Sequence, residues 1–440
     1  NIAAMTTTQA GALTATQLGR LTSEALIAFD ATQFAAFSAT QVRALTTTQI
    51  GNLEAADIAE FTTTQIAGLA TTQVRGLTET AVAALAATQI AALTVPQIQS
   101  LSTTSLVGFA DTQIGALTTT QIGGLLAPQV SAFGATTVAA LAATQISAMS
   151  ATQIAALGST NFAALDSTQI GALTTTQMRS LTTSQIASID AGQVSSFTTT
   201  QLTQLSGTQL KSLSTSNLSA LDTTQMGSLT ATQIASLTTT QIAGLVAGDI
   251  GEMTTTQVQA LVTAQVASLT TEAVSALTTT QVGAMRTTQI QGLTATQLGA
   301  LDATDIGEFT TTQLQSLTTT QVAGLTSTNA QSLSTQQLAA LTTSQVAALT
   351  VTNLSALDAT QVGALTTTQT KALTATQLTG LDAADVAEFS TTHISNFANT
   401  QLLALTSTNM AALAETQIAA ISAPGVKALT ATNFAAFAET

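Results

Sequence analysis

Four places in this sequence set carboxylates at a spacing that could do chemistry. Asp57 and Glu60, Asp249 and Glu252, Asp305 and Glu308, and Asp385 and Glu388 each stand three residues apart. Phe61, Met253, Phe309 or Phe389 follows each pair at once, and three pairs have a further acid upstream, Glu54, Asp302 or Asp382. Acids three apart share a helix face, and hard cations take oxygen ligands, so Ca²⁺ is the cofactor these residues could hold. Against that, no glycine turn arranges them as a calcium loop. The same acids also suit the start of a helix, where the backbone dipole favours negative charge. A capping variant or a contact with a neighbouring stretch of chain explains them without metal.

Other chemistry lacks its residues. His393 is the only histidine and there is no cysteine, so neither a Ser-His-Asp set nor a thiolate metal site can be assembled. His393 reads as a polar substitution at a repeated position. Eight basic residues against 22 acidic ones, a net charge of −14, cannot supply a stripe that follows phosphates, so nucleic acid is not an expected partner. No apolar run approaches the roughly 20 residues of a membrane span, and no signal-peptide pattern is visible. The absence of cysteine fits an exported bacterial protein. Near-identical units do not bring unlike residues together once, as catalysis requires, so the expectation is a protein that is not an enzyme.

The elements that position these residues come from one repeat. Every eighth residue from Met5 to Phe437 is Leu, Phe, Met or Ile, 55 times without a slip. The whole chain, 1–440, therefore reads as a single continuous octapeptide array. With Leu13 as position 1, the consensus is Leu-Thr-Thr-Thr-Gln-Ile-Ala-Ala, as in Leu117 to Gly124. Position 2 is mostly Thr, Ser or Asp (Thr118, Ser150, Asp166, Asp222, Asp358), the residues that cap a helix N-terminus. Position 5, three residues on, is usually Gln (Gln121, Gln169, Gln361), which completes a capping box. Positions 1 and 6 then fall where a hydrophobic staple places its two apolar residues.

Pro96, Pro128 and Pro424 all sit at position 4, inside the first helical turn, where a missing N–H costs little. Glycine gathers at positions 7 and 8 (Gly51, Gly68, Gly171, Gly244), where a helix has to end. Arg43, Arg75, Arg179, Lys211, Lys371 and Lys427 share position 7, which marks it as solvent-facing. The phenylalanines at position 1, such as Phe29, Phe37, Phe133 and Phe197, read as core.

This predicts an all-α solenoid of very short capped helices, one per octad. A β-solenoid is the alternative, since Thr, Ile and Val suit strands, but a five-residue spacing breaks strand alternation. One long helix does not fit, because an octad advances about 800° and its apolar stripe would circle the axis. An isolated octad cannot stand: two large buried side chains contribute about 3–6 kcal/mol against an ordering cost of about 12 kcal/mol for the unit. Two or three octads per coil both satisfy the spacing. Asn1 to Ala4 and Ala438 to Thr440 carry no polar capping repeat, which leads us to expect a window of a longer array or a protomer whose ends meet its neighbours.

Only 3% of residues are aromatic and 7% charged, so the core is aliphatic and the surface is wetted by hydroxyls and amides. Thr at positions 3 and 4 (Thr175, Thr176, Thr239, Thr240) exceeds what capping needs and offers a periodic face that an adhesive or ice-binding module would present. The octad Leu-Thr-x-x-Gln-Ile-x-Ala-Leu, as at Leu229 to Leu237, resembles the repetitive regions of giant secreted bacterial surface proteins of the adhesin or matrix type. It is similar, more loosely, to the mesothelin–stereocilin helical repeats, although their usual proline and cysteine are missing here. The first resemblance implies export, a place outside the cell and a structural role. The expected partner is the chain itself, in a homo-oligomer or filament. Far-UV circular dichroism is expected to show the paired helical bands; a single sheet-type minimum would exclude the short-helix reading.

Overall fold

The octad at Phe61 to Gly68 illustrates how the sequence starts and stops each helix. Thr62 is extended (φ −69°, ψ 157°), and its hydroxyl accepts the Gln65 N–H at 3.3 Å. The Gln65 Oε1 accepts the Thr62 N–H at 2.7 Å, so the box is closed from both sides. Helix Thr63–Gly68 follows, and the Leu69 N–H turns back to the Ile66 carbonyl at 3.2 Å. Leu69 is again extended (φ −60°, ψ 142°) and hands over to the next cap. Where position 2 is Ala, as at Ala86, only the glutamine half survives, the Gln89 Oε1 accepting the Ala86 N–H at 2.6 Å. The three prolines lie in the first turn as the octad requires.

A computed structural model describes residues 2–437; Asn1 and 438–440, which carry part of the expectation about the chain ends, lie outside the described residues. It contains 54 α-helices, one per octad, and among the described residues no strand, so the short-helix solenoid holds and the β-solenoid does not. The chain forms two compact units, Asn1–Leu221 and Asp222–Thr440, each built in the same way.

Helices of four to six residues are far below the roughly 12–15 at which an isolated helix becomes marginal, so packing must hold them. Each packs against the third helix along the chain: in the first unit Ala39–Arg43 meets Thr63–Gly68, which meets Ala87–Ala92, which meets Asp111–Ala116. One coil is therefore three octads, which decides between the two coil sizes the spacing allows. Positions 1 and 6 form the core, as Leu69 and Ile66 do, and position-1 phenylalanines such as Phe29, Phe37, Phe133 and Phe197 are buried. Position 6 is covered by the following coil: Ile66 is fully buried, whereas in the last described coil Val426 is 41% and Phe434 56% exposed.

Glycine does stand where helices end: Gly51, Gly68 and Gly171 are the last residues of theirs, and Gly244 is a C-cap. No described glycine has a positive φ, so position 7 and 8 glycines do not end helices by a left-handed turn. The reason at position 8 is close approach between coils. A Cβ on Gly380 would lie 2.8 Å from both methyl carbons of Val351 in the preceding coil, and Gly124 meets Val95 in the same way.

The position-5 glutamine joins the coils. Its Oε1 serves its own cap, and its Nε2 reaches back to the preceding coil. The Gln65 Nε2 donates to the carbonyls of Phe34 and Phe37, both at 2.7 Å, and in the second unit the Gln345 Nε2 donates to Leu314 at 2.7 Å and Leu317 at 2.8 Å. Replacing Gln65 with Ala is expected to cost about 2–5 kcal/mol, because several buried groups lose a partner. Thr62→Ala, which removes one capping hydroxyl, costs about 1 kcal/mol. At neutral pH Gln65→Glu is worse than Gln65→Ala, since a carboxylate would face two carbonyl oxygens. Hydrogen exchange of residues 34–65 in the three variants checks the order.

Candidate functional site

The distinctive side chains of this protein meet at the interface between coils, and position 5 sets its chemistry. Gln is long enough to reach two carbonyls. Asn, one methylene shorter, reaches one: Asn329 donates to Leu301 at 2.8 Å, Asn353 to Leu325 at 2.9 Å and Asn409 to Leu381 at 3.0 Å. Asp keeps only the accepting half. The Asp57 Oδ2 accepts the Glu54 N–H at 2.8 Å and the Asp249 Oδ2 accepts the Val246 N–H at 2.9 Å. The Asp305 and Asp385 Oδ2 atoms accept from the N–H groups of Asp302 and Asp382 at 3.2 and 2.9 Å. A carboxylate has no proton to donate backward, so the four acidic octads interrupt the amide ladder.

The upstream acids are caps as well. Asp302 and Asp382 accept the N–H groups of Asp305 and Asp385 at 2.9 Å each, while the Glu54 side chain makes no capping bond. The capping reading of the acidic octads thus describes what their position-5 aspartates do. The glutamates at position 8 reach toward the preceding coil. Glu60 feels the charge of Asp30 and Glu388 that of Asp358, each one coil earlier. A Glu308 oxygen instead accepts the Thr279 hydroxyl. The second carboxylate oxygens of Glu60 and Glu308 are buried without a hydrogen-bond partner, and Glu252 is exposed. Among the described residues no group of three or more His, Asp or Glu side chains is placed to hold a metal ion.

Electrostatics at these octads run against the usual carboxylate behaviour. Burial, then the charges of Asp57 and Asp30, pushes the Glu60 carboxyl up. Burial, then Asp385, Asp358 and Asp382, does the same to Glu388. Asp305 is raised by burial, opposed by the Asp302 backbone bond and helped by the Asp302 and Glu308 charges. Asp30 goes the other way, because the Thr32 hydroxyl at 2.7 Å and the Gln33 N–H at 2.9 Å stabilise its charge.

The remaining surface is mostly polar, with scattered apolar side chains such as Val107, Leu126 and Val246 exposed on it. The six basic residues at position 7 are exposed, and the Arg179 guanidinium donates to Gln204 in the next coil. Glutamines at position 7 bridge coils too, Gln99 to the Gly124 carbonyl and Gln259 to the Ala284 carbonyl, both at 2.8 Å. His393, 4% exposed, occupies position 5 and bonds in both directions as a glutamine does. The backward reach of position 5 was missed by reading the sequence as caps alone. Its signal was present: a capping box accepts Glu as readily as Gln, yet no octad has Glu at position 5.

These features define a class: a repeat protein of short Thr- and Ala-rich helical units, three to a coil, tied together by side-chain amides. The family model of the ALTTAQ repeat matches the chain in three places, residues 138–175, 162–199 and 242–279. The first two matches begin one coil apart, and all three begin at position 6 of the octad. No curated protein matches the chain.

The raised carboxyls yield a pH prediction. A group whose folded pKa exceeds its unfolded value destabilises the fold while ionised, and that cost is relieved as pH falls through the folded pKa. The coils at Glu60, Asp305 and Glu388 should therefore become more stable on mild acidification. Glu388→Gln is expected to raise melting temperature at neutral pH and to flatten this response; an unchanged pH profile in that variant would disprove the assignment.

Proposed function

We propose that this chain is a non-enzymatic structural repeat protein, a segment of an extracellular rod or self-assembling fibre on a bacterial surface or in its matrix. The observation that carries the reading is the use of the chemically distinctive side chains. Gln, Asn, Asp and His at position 5 act on the repeat's own backbone, which leaves a surface mainly of hydroxyls, amides and small residues, with a few charged and apolar side chains among them. Length, solubility and lateral contact are what such an array supplies. No helix among the described residues is long and apolar enough to cross a membrane. In this reading the partner is the chain itself and no nucleic acid is bound.

A second reading, an adhesive or ice-binding module, draws on exposed threonines that recur one coil apart at position 4, such as Thr176 and Thr200, or Thr256 and Thr280. Sedimentation velocity and negative-stain imaging across a concentration series test the first reading. Filaments or growing oligomers are expected, and monomers at every concentration would refute self-assembly. Thermal hysteresis of a dilute solution tests ice binding, and its absence would end that alternative.

A further inference from the structure

His393 is the only histidine of the chain and stands where most octads carry glutamine. It is 4% exposed and meets the Phe389 ring edge-on, with centroids 6.1 Å apart. Its Nε2 lies 2.8 Å from the Leu365 carbonyl in the preceding coil, and its Nδ1 accepts the Ser390 N–H at 3.4 Å. A carbonyl only accepts and a backbone N–H only donates, so these partners assign the proton to Nε2 and leave Nδ1 as the acceptor. Only the neutral ring reproduces the two-way pattern of glutamine. A proton on Nδ1 would point N–H at N–H in a buried place, and the ring could not keep both partners.

We propose that His393 is a pH-operated link between coils: its protonation releases helix Thr391–Asn396 from the coil before it, while coils joined by glutamine stay closed. An amide does not titrate, so the response belongs to one coil. The ionisable groups on the elements around His393 are few. Helix Thr367–Lys371, one coil back, carries Lys371, and helix Glu415–Ala419, one coil on, carries Glu415; both side chains are exposed. The preceding helix Ala383–Ala387 brings Asp385, flanked by exposed Asp382 and half-buried Glu388, which itself feels Asp358. Protonating Glu388 stabilises its coil, opposite in sign to the effect of protonating His393, so the two responses can be separated.

The test is NMR on the full chain with labelled histidine, where one imidazole gives one signal set. At neutral pH the ring is expected as the Nε2–H tautomer. As the pH is lowered, exchange of the Ser390 amide should accelerate in step with imidazole protonation. Corrected for intrinsic rate, the gain is roughly tenfold, the factor that loss of one capping interaction implies. The Thr182 amide, held by Gln185, is the reference and should not respond. His393→Gln should abolish the acceleration. An Nδ1–H tautomer, an imidazole that stays neutral down to global unfolding, a ring that protonates with no change at Ser390, or an equal acceleration in His393→Gln would each overturn the proposal.

Discussion

A buried side-chain amide has to satisfy both of its ends, and the fold of this protein is built around that requirement. Once a coil precedes it, the position-5 glutamine is almost entirely removed from water, as Gln65 and Gln185 are at 1% exposure. Its oxygen finds the N–H at the start of its own helix, and its nitrogen finds carbonyls at the end of a helix one coil earlier. An unpaired buried amide would cost more than a short helix can gain, so the two ends constrain the geometry together. The oxygen requires glutamine three residues after the cap. The nitrogen requires the position-1 carbonyl of the coil behind it and a second from position 6 or 7, as Gln65 takes those of Phe37 and Phe34 and Gln337 those of Phe309 and Gly307. Both conditions hold only if every octad keeps its length and three octads close one coil, which is why the register never slips.

From this follows the way order is distributed along each unit. Packing between helices runs to the next coil, so stability is close to a sum of units and their nearest interfaces. The residue at position 5 grades each interface. Glutamine donates two backward bonds, asparagine and the lone histidine one, and aspartate none. The aspartate octads also place carboxylates against the preceding coil, at Asp30 with Glu60 and at Asp358 with Glu388. An array that looks uniform by its leucines is therefore uneven by its polar contacts. Valine at position 3 adds a steric rule of the same range, since Val95 and Val351 each require glycine in the following coil, at Gly124 and Gly380.

The same economy underlies the functional proposal. An enzyme gathers unlike residues from distant parts of the chain at one place. Here each polar side chain at a special position serves the backbone within one coil, and what remains outside repeats. A surface of that kind suits length and association with like surfaces, and the family match to a short repeat agrees with it without fixing a role.

Read alone, the sequence determined everything that depends on residues within one octad. Thr or Asp at position 2 with Gln at position 5 makes a capped helix, and proline at position 4 agrees with it. Spacing places the apolar residues at positions 1 and 6, whatever the chain does next. These contacts lie within a single helical turn or its flanks, and local chemistry settles them. Coil size depended instead on contacts between one coil and the next, about which an octad carries no information because every octad looks alike. The tertiary structure also decided what the glycines are for, which carboxylates meet across coils, and that glutamine's nitrogen matters as much as its oxygen. The physical reason is that a hydrogen bond to the preceding coil is invisible in a periodic sequence until the period of the coil is known.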